Sequence, residues 1–202
     1  MDTSRAEAFS DGVFAVAITV LVFNLLDITL RQHPYQDLAS AWPSYFAYVV
    51  SFLTIGIMWM NHHTIFGHIT RVDRPLLVLN LFLLLGVVAI PWPTALVAKQ
   101  LRHSGGGPAA VTYGLVMILI SVGFGGLWIY VVTHAARLGG QAEPEALRRS
   151  IPGFTGGLLV YVAGTLLAAF GLPVAALILY GLLAVYYLFD HLPAPQAPAE
   201  GA

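Results

Sequence analysis

Of the 202 residues in this chain, 58% are hydrophobic and 9% are charged, with a formal net charge of -1. So few charges cannot cover the surface of an ordinary soluble domain of this length, and they place the chain in a membrane. The near-neutral balance leaves no basic patch for nucleic acid, and the lack of cysteine excludes disulfides, thiolate catalysis and sulfur-ligated zinc.

A spanning helix needs about 20 mostly apolar residues. Stretches of that kind fall at 7–30, 42–66, 75–98, 109–134, 151–170 and 173–190. The expectation is an all-α integral membrane protein with six transmembrane helices in residues 1–191. The Pro193, Pro195 and Pro198 tail, 192–202, is expected to be disordered. The first run is too long for a secretory signal peptide, is preceded by Arg5 alone and contains Asp11, so it stays as a helix. Pro43 opens the second helix, whereas Pro91 and Pro93 kink or end the third near the outer face, where Trp42 and Trp92 suit the interface. Glycines gather in the fourth and fifth segments, at Gly123, Gly125, Gly126, Gly153, Gly156, Gly157 and Gly164, where neighbouring backbones can approach closely. Gly171, Leu172 and Pro173 leave only a tight turn between the last two segments, and a re-entrant pair is the alternative reading there.

The basic residues divide unequally. Arg5, Arg71, Arg74, Arg137, Arg148 and Arg149 fall on one side, against Arg31, Lys99 and Arg102 on the other, which puts both termini in the cytoplasm.

Polar groups inside the apolar segments carry the functional argument. An intramembrane carboxylate costs at least ~2.5 kcal/mol, so Asp11 needs a partner or water. The second helix returns to its side of the membrane with Trp59, Asn61, His62 and His63, and the third brings Asn80 to about the same depth. Asp11 is therefore expected to be satisfied by Arg5, or by His62, His63 or Asn80. These groups either lock the bundle together or mark an ion path. A metal or haem site is disfavoured, because adjacent helix residues such as His62 and His63 point about 100° apart.

A second face of the first helix carries Val16, Val20, Phe23 and Asp27 in one stripe, with Thr19 beside it, about 140° from Asp11. One face could anchor the helix in its own subunit while the other lines a shared axis. Hydrophobic constrictions on such an axis gate by dewetting, and acidic rings concentrate cations.

Arg5, Phe9, Ser10, Asp11 and Gly12 form the pattern R-x-x-x-F-S-D-G, followed by V-F-A-V-A-I-T through Thr19, by W-x-x-H-H at Trp59, His62 and His63, and by the Asn80 helix ending in Pro91, Trp92 and Pro93. In these residues the chain resembles the transmembrane protein 175 family of potassium channels. The resemblance implies a homotetramer with one six-helix unit per chain, located in the plasma membrane and needing no cofactor or metal. The first helix of each copy would line a modestly selective potassium pore, amid lipid and monovalent cations. It further implies that Val16, Thr19, Val20 and Phe23 form the constriction and pore wall; the carboxylate at the outer mouth is then Asp27 of the same stripe. Arg5, Phe9, Ser10, Asp11, Gly12, Trp59, His62, His63 and Asn80 would form a structural network. Val16 stands where many relatives carry a bulkier Leu or Ile, and Asn24 where they carry an acid.

The T-V-G-Y-G carbonyl filter is absent, so selectivity would come from side-chain layers. A secondary transporter would place polar substrate groups in both halves, yet the second half is almost free of them. A proton-conducting channel is the other alternative. An enzyme would need a nucleophile with a base or a metal, for which only Ser10 with Asp11 and a distant histidine could serve.

Overall fold

The computed structural model describes residues 3–26, 28–29, 33–101, 105–140 and 144–189, with backbone alone for 144–150 and 153–154. Among them the secondary structure is helical: α1 (Thr3–Val20), α2 (Phe23–Leu26), α3 (Pro34–Ser40), α4 (Trp42–Phe66), α5 (Arg74–Ala89), α6 (Pro91–Gln100), α7 (Gly106–Thr133), α8 (Pro144–Ala169) and α9 (Pro173–Leu188). Asp27, Arg31, Arg102 and the 192–202 tail lie outside the described residues, as do the side chains of Arg148 and Arg149.

Among the described residues four stretches are long and apolar enough to cross a membrane: Thr3–Leu26, Trp42–Phe66, Arg74–Gln100 and Gly106–Thr133. The apolar parts of the last two helices, Thr155–Ala169 and Pro173–Leu188, are shorter. At ~1.5 Å per residue α9 is about 24 Å long, less than the ~30 Å hydrocarbon core.

Proline sets several boundaries. Pro43 stands in the first turn of α4, where its missing N–H costs nothing. Pro91 and Pro93 cannot donate to the preceding turn, so the α5 ladder stops while Ile90 keeps helical angles and α6 carries on. The Thr94 hydroxyl donates to the Ile90 carbonyl at 2.8 Å and lies 2.8 Å from Ser51 Oγ, which ties the interruption to α4.

Two departures from the expected elements concern the first loop. The first segment does not run unbroken to residue 30. It tightens at Leu21 and Val22, whose N–H groups donate three residues back to Ile18 and Thr19 at 3.3 and 3.2 Å. The short helix α3 then fills part of what reads as a loop, with Pro34 in its first turn and Asp37 beside it.

α7 is the central post, with Met117, Ile120, Leu127 and Trp128 fully buried. Glycine permits its neighbours' approach: a β-carbon at Gly123 would lie 3.0 Å from Leu83 Cα on α5, and one at Gly114 would collide with the Thr165 and Tyr180 hydroxyls of α8 and α9. Gly171, at φ +86°, makes the α8–α9 turn. The α4–α5 linker is held to the far end of α7, because Thr70 and Arg71 both donate to the Leu138 carbonyl, at 3.0 and 3.1 Å.

Candidate functional site: the outward face and polar seam of the first helix

The helical period sorts the residues of α1 by azimuth. Ala6, Ser10, Phe14 and Ala17, continued by Leu21, recur at spacings of three and four and are buried against the other helices of the chain. The opposite side is bare: Val16 is 60% and Phe23 59% exposed. Phe9, Gly12 and Thr19 are exposed as well. Val20 is half-buried, because it lies beside the Leu21 edge of the core rather than squarely on the outward face. Thr19 Oγ1 donates to the Ala15 carbonyl at 2.7 Å, so its proton is engaged and its oxygen is left as an acceptor.

The buried side carries an uncharged chain of hydrogen bonds across three helices. Ser10 Oγ lies 2.8 Å from the Ala6 carbonyl, which can only accept, so the serine proton goes there. Ser10 must then accept from Asn80 Nδ2, at 2.9 Å. That turns Asn80 Oδ1 towards His62, whose Nε2 donates to it at 2.8 Å. The His62 ring is clasped between Phe66, stacked at 4.4 Å, and Phe14, edge-on at 5.4 Å. Every polar atom named here has a partner, as hydrocarbon depth requires.

Asp11 is held differently from the expectation. Its partner is Trp59, whose Nε1 donates to Oδ1 at 2.7 Å, and neither Arg5, His62, His63 nor Asn80 bonds to it among the described residues. Ser10 and Asp11 stand about 100° apart on the helix, so only one of them can enter the α1–α4–α5 seam. Ser10 enters it, and the carboxylate stays exposed on the flank, where the longer indole reaches it. His63 is exposed and stacks on Trp59 at 6.3 Å. Arg5, Phe9 and Gly12 remain outside the hydrogen-bonded chain, and a β-carbon at Gly12 would meet nothing within 4 Å. They stand on the surface of α1 that the rest of the chain leaves uncovered.

One polar atom at the end of this face is unmatched: Asn24 Nδ2 is buried without a partner among the described residues. Nor do three His, Asp or Glu side chains of the described residues gather closely enough to hold a metal ion.

The profile of the family described as "Endosomal/lysosomal potassium channel TMEM175" matches residues 5–91, which contain both the outward face and the seam. A protein of Streptomyces collinus named as a potassium channel is 42% identical over 202 aligned positions, spanning 98% of this chain and 97% of that protein. The crystal structure of a lysosomal potassium-selective channel TMEM175 homolog from Chamaesiphon minutus superposes with a TM-score of 0.79 at 33% identity, over 92% of this chain and 96% of that one. A Danio rerio relative named as the endosomal/lysosomal proton channel TMEM175 is 32% identical over 60% of this chain and 25% of its own length. With near full-length similarity to a bacterial potassium channel and to the crystal structure of a TMEM175 homolog, and with a multi-pass helical architecture, this chain belongs to the TMEM175 family of ion channels.

Proposed function

We propose that the protein is a modestly selective potassium channel of the plasma membrane. Four copies stand around a common axis, each with six transmembrane helices and with both termini in the cytoplasm. The wall of the path is α1 continued by α2, with Val16 and Phe23 as apolar constrictions, Val20 at their edge and Thr19 as a layer of hydroxyl oxygens. Asp27, on the same stripe of the sequence, is assigned to the outer mouth in place of the acid that relatives carry where Asn24 stands.

The observation that carries this reading is the two-faced first helix. Its core face is buried in its own subunit, while Val16, at 60% exposure, and Thr19 face away. An apolar outward face alone would suit lipid. Thr19 and Gly12 on the uncovered side, with the Asp11 carboxylate exposed on its flank, suit another protein surface and water better, since Thr19 offers an acceptor oxygen with no use for it in hydrocarbon. The names of the Streptomyces and Chamaesiphon relatives support potassium as the ion. The vertebrate relatives' name adds proton conduction as a second reading.

Potassium, sodium and proton fluxes into liposomes containing the purified protein test both. Potassium flux above sodium flux is expected. Val16→Ala is expected to raise conductance by widening a dewetting constriction, and Thr19→Val to lower potassium preference by removing an oxygen layer. Currents unchanged in both variants would remove α1 from the path.

A further inference from the structure

We propose that each subunit holds, away from the α1 face, a binding site for a neutral hydroxyl-bearing amphiphile of the membrane, with its head among α4, α7, α8 and α9 and its chain between α4 and α9. The site does not depend on the ion-conduction reading.

The head site is a cavity of about 50 Å³ that includes Thr54, Asn61, Ser121, Tyr161 and Tyr187 in its wall. Thr54 donates its proton to the Val50 carbonyl at 2.8 Å, and the Tyr187 hydroxyl accepts from Gly157 N–H at 3.1 Å. The other three are different. Asn61 of α4, Ser121 of α7 and Tyr161 of α8 make no hydrogen bond to any described residue, although Tyr161 is only 5% exposed. Three polar side chains from three helices thus converge on one space without protein partners. At this depth such groups are costly unless something supplies hydrogen bonds.

Water could fill the cavity, which has room for roughly three molecules at about 15 Å³ each. It would not fill what the cavity joins. Ile57 and Ala184 line both this space and an apolar groove of about 640 Å³, which runs between α4 and α9 past Val185, Gly181 and Ile178 towards Trp42 and Val174. Among the described residues no charged side chain lines either part. A polar end and an adjoining apolar channel match an amphiphile, and a head cavity whose described lining is polar but uncharged selects a neutral head of the glycerol or alcohol kind over a carboxylate or phosphate.

The test uses the whole protein in phosphatidylcholine liposomes with a monoacylglycerol that carries a photoreactive diazirine in its chain. Saturable labelling of α4 or α9 is expected, competed by unlabelled monoacylglycerol and not by the fatty acid of equal chain length. Gly181→Phe places a ring in the groove from a position whose added β-carbon would meet nothing within 4 Å. It should cut labelling roughly tenfold, and Asn61→Leu should cut it several-fold. Labelling that does not saturate, that Gly181→Phe leaves unchanged, or that the fatty acid competes equally well would overturn the proposal. So would ready disulfide formation between Val185→Cys residues of two copies, which would show the groove covered by a second subunit. The competition arms use the native chain and so do not depend on how either variant folds.

Discussion

Asn80 bonds two helices at once through the two ends of its amide, which makes it the residue on which the seam turns. Asn80→Leu would leave His62 Nε2 buried without its partner and take from Ser10 the donor it accepts from, while Ser10 keeps its bond to the Ala6 carbonyl. At about 1–3 kcal/mol per unsatisfied group, the expected loss of stability is about 3 kcal/mol. Trp59→Phe removes a hydrogen bond to an exposed carboxylate that water can replace, so its expected cost is about 1 kcal/mol. Denaturant unfolding of the two variants in the same detergent checks the order, and equal losses would mean that the seam is not the stronger tie. That these groups share one depth was legible in the sequence, because helix rise and topology fix it. Which of two adjacent residues turns inward was not legible, since azimuth is set by the neighbours' packing. That is why Trp59 rather than an arginine or histidine holds Asp11.

Helix boundaries followed residues with a local mechanism. Pro43, the Pro91–Pro93 pair and Gly171 act through their own backbone and stand at or beside element ends in the structure. The tightening at Leu21 and Val22 has no such marker, because both are apolar and unremarkable, and the short helix α3 is likewise hidden by its length. Glycine in the long helices illustrates the same limit, since composition flags small residues without saying which ones touch. A side chain at Gly123 meets Leu83 backbone at 3.0 Å, and backbone cannot step aside as a flexible side chain can. Gly123→Val should therefore push α7 from α5 and cost about 1–3 kcal/mol. Gly56→Ala, where a β-carbon meets nothing within 4 Å, should be neutral or stabilising by up to about 1 kcal/mol through helix propensity. Thermal unfolding midpoints separate the pair, and comparable midpoints would show that the α5–α7 contact is looser than its geometry.

Across the whole molecule, the elements that hold α1 depend on a linker far from it in sequence. α4 supplies Trp59 and His62, α5 supplies Asn80, and the stretch between them is pinned to the end of α7 by Thr70, Arg71 and two titratable groups. His68 is buried against Trp128 at 5.4 Å with neither ring nitrogen partnered among the described residues, and burial holds its pKa below the ordinary 6.5. Asp73 caps α5 by accepting from Leu76 N–H at 3.1 Å and also accepts from the Tyr130 hydroxyl at 2.8 Å. Desolvation raises its pKa, but the Tyr130 and Leu76 hydrogen bonds with the Arg137 guanidinium outweigh it and leave the carboxyl below the ordinary 3.8. Arg137 is 63% exposed at 3.1 Å, so the ion pair itself adds little beyond the hydrogen bonds. Both shifts have the same sign in linkage. The unfolded chain binds protons more readily than the folded one, so stability is lost on acidification, for His68 as pH falls from 6.5 towards its folded value and for Asp73 only below 3.8. The unfolding midpoint should therefore fall between neutral pH and about pH 5, and His68→Phe, which keeps the ring against Trp128, should flatten that slope. Asp73→Asn should leave this window unchanged and act only in stronger acid. A wild-type midpoint that stays level down to about pH 5, or a His68→Phe variant as steep as the wild type, would show that the linker does not unfold with the helices it joins.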